Sequence, residues 1–302
     1  MNDLPSPRDS WSPFRALIIF NPTAGSRQRR RLEETMALLR SGGCIPTLIE
    51  TKESGDAERA ARSIAPGAFD VVIAAGGDGT VNEIANGLAK LDSPPPIGLI
   101  PLGTANVLAA EVGLATTARA AAQAILSGKR RLIRLGLANG RHFVLMASVG
   151  LDAQVVEGLD LAFKRRMGRL AYVWDSLVRA VRYDFPPLSI LADGRKFEAR
   201  MAVVCKGRCY GGPFVAAPDA RLDAPLFYLV LMERGGLISV FRYGLALALG
   251  RIGHLADVRV MPARHVVISG TQGAPVQADG DVVARLPVEI GLAPRTLEFV
   301  GS

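Results

Sequence analysis

Gly76-Gly77-Asp78-Gly79-Thr80 follows the apolar run Val71-Val72-Ile73 and leads into a helical pattern beginning Val81-Asn82-Glu83-Ile84. Glycines at a strand-to-helix turn let the backbone approach a bulky anion, and the first helix amides can donate to phosphate oxygens. An aspartate in such a turn repels phosphate. Its presence makes sense if a divalent cation sits between them, or if the carboxylate acts on a hydroxyl beside a phosphate. The turn predicts phosphate handling.

The elements that position this turn alternate along the first half of the chain. Arg15 to Phe20 reads as a buried strand, and Leu32, Met36 and Leu39 share one face of the helix after it. Pro46 to Glu50, Val71 to Ile73 and Ile97 to Ile100 read as further strands. Strands alternating with helices predict a doubly wound parallel sheet, whose ligands bind in the loops beyond the strand C-termini. Those loops carry Asn21 to Gly25, Thr51, Gly76 to Thr80, and Gly103-Thr104 with Asn106. Four such turns at equivalent positions would make a nucleotide cleft. Thr51 and Thr104 also suit helix capping, and Asn21 before proline suits a plain turn.

Near residue 130 the pattern changes to successive strands. Leu132 to Ala138 and His142 to Ser148 read as a hairpin around Asn139-Gly140, and Gln154 to Tyr183 as a long helix. Ser189 to Leu191, Phe197 to Val204, Phe227 to Val230, Val258 to Val260, His265 to Ile268 and Val288 to Ile290 read as strands, with a helical insertion over Leu237 to Gly250. The expected fold is an α/β nucleotide-binding domain over 13–130, then a mainly antiparallel β-sandwich domain over 131–302 whose last residues return to the first.

A net charge of +8 in 302 residues favours anionic partners. With 6% aromatic content and no interleaved basic-aromatic platform, nucleic acid is excluded first. Three cysteines make no disulfide framework, and no uncharged apolar run reaches membrane-spanning length. A cytoplasmic protein, peripheral at the inner membrane face, is expected.

Together these motifs resemble the diacylglycerol kinase and sphingosine kinase superfamily, particularly the bacterial lipid kinases. The matching residues are Asn21-Pro22-x-x-Gly25, Gly76-Gly77-Asp78-Gly79-Thr80 with Asn82-Glu83, and Pro101-Leu102-Gly103-Thr104-x-Asn106. Gly150-Leu151-Asp152-Ala153, Lys164-Arg165-Arg166-x-Gly168 and Asp279-Gly280-Asp281 continue the match. The resemblance implies an ATP- and magnesium-dependent kinase acting on a lipid hydroxyl, with the nucleotide held between two domains. Its nucleotide contacts would fall on Asn21, Thr51, Gly76, Gly77, Asp78, Gly79, Thr80, Asn82, Gly103 and Thr104, with Asp78 beside the catalytic magnesium.

The family's base, the acid of an Asp-Gly-Glu turn, falls on Asp281, a methylene shorter, with Asp279 able to share the role. A family loop resembling Leu-Asp-Asp-Gly-x-Leu holds a structural magnesium; here it reads Leu222-Asp223-Ala224-Pro225-Leu226 and lacks the second acid and the glycine. Lys164, Arg165 and Arg166, beside Phe163, Met167 and Trp174, suit either a solvated helix face or peripheral contact with a membrane carrying the lipid substrate. Two other readings stay open: a catalytically impaired nucleotide- or lipid-binding sensor, and NAD kinase, whose family shares a Gly-Gly-Asp-Gly turn.

Overall fold

The computed structural model of the chain describes residues 13–22, 26–158 and 181–301. It divides into two compact units, one drawn from residues 1–133 and 295–302, the other from 134–294. In the first, β1 (Phe14–Phe20), α1 (Ser26–Ser41), β2 (Cys44–Glu50), α2 (Asp56–Arg62), β3 (Val71–Gly76), α3 (Asp78–Leu88), β4 (Ile97–Pro101), α4 (Val107–Glu111) and α5 (Ala118–Leu126) follow one another. The strands pair in parallel in the order β2-β1-β3-β4, and Phe299 and Val300 from the end of the chain add beside β4.

Parallel strands covered on both faces must be apolar throughout, and every residue of β3 and β4 is buried. Ala16, Ile18, Phe20, Ile73 and Ala75 pack against Leu32, Met36 and Leu39 of α1 and Ala121, Ala122 and Ile125 of α5. Helices α2 and α3 cross so closely that a Cβ on Gly87 would lie 2.5 Å from the Glu58 carbonyl oxygen.

The second unit is a β-sandwich. Its elements, with β5 beginning and β18 ending in the first unit, are β5 (Arg130–Ala138), β6 (Arg141–Phe143), β7 (Met146–Val149), α6 (Leu151–Gly158), β8 (Leu188–Ala192), β9 (Arg195–Ala199), β10 (Met201–Cys205), β11 (Cys209–Tyr210), β12 (Phe214–Val215), β13 (Phe227–Met232), α7 (Leu237–Ala248), β14 (Val258–Ala263), β15 (Val266–Ser269), β16 (Pro275–Ala278), β17 (Asp281–Arg285) and β18 (Val288–Val300). One antiparallel sheet runs β14-β13-β10-β7-β16-β17. The other carries the start of β18 with β15, β8 and β9. Ile190, Val266, Ile268 and Val288 of the second share a buried core with Val149, Val204, Leu229 and Val276 of the first.

Three two-residue turns set the hairpin registers. Asn139-Gly140, Asp193-Gly194 and Asp279-Gly280 all have positive φ at both residues, the type I′ geometry these pairs favour. Two expected strands are each broken in two. The run from His142 to Ser148 splits into β6, which pairs with β5, and β7, which joins the other sheet. The amides at the break are claimed by a distant carboxylate, described below. The run from Phe197 to Val204 likewise splits at Arg200, whose amide donates to the Met232 carbonyl while β9 and β10 pair with different partners. Strands β16 and β17 carry no expectation from sequence, because only their connecting turn stands out there.

Of the helix expected over Gln154 to Tyr183, the described part comprises α6 and helical residues Val181 and Arg182. Gly25 and the block Lys164, Arg165, Arg166, Met167, Gly168, Arg169, with Phe163, Tyr172 and Trp174, lie outside the described residues. No helix among the described residues is long and apolar enough to cross a membrane.

Candidate functional site

The parallel register brings the post-strand residues of the first unit to one edge. Phe20 lies opposite both Glu50 and Ala75, and Gly76 opposite Pro101. The pairing persists one residue further. The amides of Asn21, Thr51 and Leu102 donate to the carbonyls of Ala75, Phe20 and Gly76 at 3.0, 2.9 and 2.9 Å. Asn21, Thr51, the glycine turn and the Gly103 loop therefore share the C-terminal edge of the sheet.

Two glycine loops touch there. A Cβ on Gly103 would lie 2.5 Å from the Gly77 Cα, so neither a side chain nor a looser turn fits between them. Gly76 is equally constrained, with Thr80 Oγ1 standing 2.3 Å from where its Cβ would be. Asn106, at φ 47°, closes its own loop by accepting from the Gly103 amide and donating to the Gly103 carbonyl, at 2.9 and 2.7 Å.

Asp78 ties the loops together. Its Oδ2 accepts the Val107 amide and its Oδ1 the Leu108 amide, both at 3.0 Å, so the carboxylate sits on the first turn of α4. Each oxygen keeps a second lone-pair direction, which leaves room for a cation ligand. Glu83, the other acid of the motif, accepts from the Gly55 and Ala57 amides at 3.0 and 3.1 Å and anchors the start of α2. Thr51, Thr80 and Asn82 are buried, and the Asn82 Oδ1 accepts from Asn86 Nδ2 at 3.0 Å. Thr80 and Asn82 belong to the first turns of α3 and Thr51 follows β2, whereas Thr104 is exposed.

Three arginines at the start of α1, beside the first loop, find partners within the protein. Arg29 forks onto Glu50 and lies over the Phe20 ring, Arg30 pairs with Glu34, and Arg31 donates to the Pro101 carbonyl.

In the second unit the Asp279-Gly280 turn separates two acids of different character. Asp279 is buried, and its carboxylate accepts the amides of Val144, Leu145 and Met146 at 2.6, 2.9 and 3.1 Å. These are the donors at the break between β6 and β7. A carboxylate so enclosed holds the break between the two strands in place. Asp281, opposite Ala278 at the start of β17, is exposed. Behind the turn, buried Gln277 accepts from the Gly280 amide and donates to Ser148 Oγ and Asp152, and Ser148 Oγ donates to Asp152 at 2.5 Å. Asp152 of the Gly150-Leu151-Asp152 motif is thus part of a polar network bracing the turn.

The residues at the structural-magnesium loop do not fit a second cation. Lys206, fully buried, already places its ammonium there, with Nζ donating to the carbonyls of Arg221 and Ala224 at 2.7 and 2.9 Å. The Asp223 carboxylate is taken by Arg221 at 3.0 Å. Sequence reading missed Lys206 because nothing near it in the chain marks it as different from a surface lysine.

Burial pushes the Lys206 pKa down from 10.5 to about 8, with Asp223 pulling it up and Arg134 pushing it further down. The native state therefore releases this proton before the unfolded chain does, and stability contributed by Lys206 should rise with pH between those values. In urea titrations, the stability difference between wild type and Lys206→Met should grow by about 2 kcal/mol from about pH 7.5 to about pH 10. A flat difference would show that the ammonium does not titrate in that window. Among the described residues no three histidine, cysteine or acidic side chains gather as a metal site.

Residues 15–138 match the diacylglycerol kinase catalytic domain, and residues 146–301 match the YegS C-terminal NAD kinase beta sandwich-like domain. The diacylglycerol kinase of Bacillus subtilis (strain 168) is 31% identical over 281 residues, spanning 91% of this chain and 92% of that protein. The diacylglycerol kinase of Staphylococcus carnosus (strain TM300) is 29% identical over 279 residues, 90% of each. A crystal structure from Bacillus anthracis str. Sterne superposes with a TM-score of 0.79 at 25% identity, covering 97% of both chains. Another from the same strain, described as a diacylglycerol kinase, shares the fold with a TM-score of 0.71 at 22% identity, over 95% of this chain and 97% of that one.

Proposed function

The chain belongs to the diacylglycerol kinase family, and from that premise we propose that it moves the γ-phosphoryl group of ATP, accompanied by magnesium, onto the hydroxyl of diacylglycerol or a closely related lipid. Membership makes it a lipid kinase; the donor, the metal and the acceptor are our reading. The observation that carries this reading is the pair of glycine loops held in backbone contact by the Asp78 carboxylate. Phosphoryl transfer asks a protein mainly for positioning and charge neutralisation. Here the first amides of α3 supply donors at one sheet edge, and Gly103 beside them puts no side chain in the way.

Magnesium, bound with the nucleotide and beside Asp78, would neutralise phosphate charge. Exposed Thr104 would touch the nucleotide directly, while buried Thr80 and Asn82 shape the first turns of α3 and buried Thr51 the edge after β2. Asp281 takes the proton of the acceptor hydroxyl. In a loose transition state that proton leaves late, so an exposed carboxylate serves chiefly by orienting the hydroxyl. The Gln277-Ser148-Asp152 network and the Asp279 carboxylate fix the turn that presents it.

The test is transfer of label from γ-labelled ATP with magnesium into mixed micelles, with products separated by chromatography. Diacylglycerol, monoacylglycerol, ceramide and sphingosine would be offered separately. Labelled phosphatidic acid is the expected product. Label in a sphingoid base would change the acceptor and keep the reaction. No labelled lipid from any acceptor, with nucleotide binding intact, would leave a sensor instead of an enzyme.

A further inference from the structure

Helix α7 is amphipathic in the inverted sense. Its inner face carries the polar groups: the Tyr243 hydroxyl donates to Asp257 Oδ2 at 2.7 Å, Arg242 pairs with the same carboxylate, and Tyr243 and Ala246 are buried. Its outer face is apolar. Ile238, Phe241, Leu245 and Leu249, spaced to form one stripe, are 86%, 66%, 52% and 64% exposed. A helix whose outer face met only water would turn polar residues there, and a contiguous apolar stripe marks a contact site.

The surrounding charge selects the partner. From Gly235 to Ala256 the chain has no aspartate or glutamate. Arg234, just before the helix, reaches the Asp257 carboxylate at 3.9 Å yet keeps 71% of its side chain exposed, and Arg251, just after it, is also exposed.

We propose that this face docks on an anionic lipid bilayer. The helix lies in the interfacial plane, with Ile238, Phe241, Leu245 and Leu249 at the acyl boundary and Arg234 and Arg251 among the phosphates. The proposal rests on the lipid-kinase reading, since a substrate that stays in a bilayer requires its enzyme at the surface. A second copy fits less well. A two-fold contact through this stripe would gather arginines from both copies, while the flanking acids Glu233 and Asp257 are already engaged by Arg259 and by Tyr243 and Arg242.

The test uses the full chain in sedimentation with vesicles of phosphatidylcholine alone or mixed with phosphatidylglycerol. Wild type should sediment with the mixed vesicles and less with neutral ones. The double variant Ile238→Asp with Phe241→Asp should bind about tenfold more weakly or worse. Arg251→Glu should lose the salt-sensitive part of the binding. Both variants should phosphorylate a short-chain diacylglycerol dissolved as monomer as wild type does, which also reports that they fold.

Binding unchanged in the double variant would overturn the proposal. So would loss of self-association by light scattering with vesicle binding retained, which would assign the face to a second copy. If wild type phosphorylates no diacylglycerol in solution or in bilayers, yet vesicle binding still depends on Ile238 and Phe241, the acceptor reading falls and the docking surface stands.

Discussion

Asp78→Asn should lower lipid phosphorylation by about a thousandfold, near 4 kcal/mol of transition-state stabilisation. Two effects combine. The carboxylate holds the Gly103 loop in place by accepting the Val107 and Leu108 amides, one on each oxygen. An asparagine can accept one of them, but its Nδ2 then meets the other amide donor to donor. The resulting displacement of two loops whose backbones touch at Gly77 and Gly103 misplaces the phosphates, and misplacement by about 1 Å costs on the order of a hundredfold. With magnesium beside Asp78 as proposed, loss of the negative charge would account for the remainder. The stability cost should stay near 2 kcal/mol, because only one charge-assisted hydrogen bond is lost outright. Initial rates at saturating ATP and magnesium, measured beside thermal unfolding, decide it. Turnover within tenfold of wild type would remove Asp78 from the site.

Asp279→Ala and Asp281→Asn should separate folding from chemistry at two acids one residue apart. Removing the Asp279 carboxylate leaves the amides of Val144, Leu145 and Met146 without their acceptor at a buried break between two sheets. At about 1–3 kcal/mol per stranded donor, the loss should reach about 4–6 kcal/mol, enough to unfold many domains outright. Asp281 is exposed, so its conversion to asparagine should leave stability within about 0.5 kcal/mol and reduce turnover by about a hundredfold or more. Urea unfolding and turnover on the same preparations give both numbers. A stable but inactive Asp279→Ala would return that acid to the chemistry. A fully active Asp281→Asn would take the base role away from this turn.

These two residues show how far the sequence reaches. Asp279-Gly280 announces a type I′ turn because both positions must adopt positive φ, a requirement met within two residues. The glycine turn at Gly76, the buried runs of β3 and β4, and the face shared by Leu32, Met36 and Leu39 are local in the same way. Periodicity and steric freedom operate between neighbours, so composition and spacing suffice to place them.

What each polar side chain binds is not local. Asp279 meets Val144 across 135 residues, and that meeting breaks a strand that reads as continuous. Lys206 reads as an ordinary lysine, yet its ammonium is enclosed against the carbonyls of Arg221 and Ala224. The inversion of α7 is equally invisible, since periodicity fixes which residues share a face and leaves open whether that face meets the core or the solvent. The sequence by itself determined the alternating layers, the tight turns and the residue types at the phosphate edge. Only the tertiary structure decided which carboxylates and carbonyls take up which distant donors, because a buried donor is satisfied by whichever acceptor the packing of distant segments delivers.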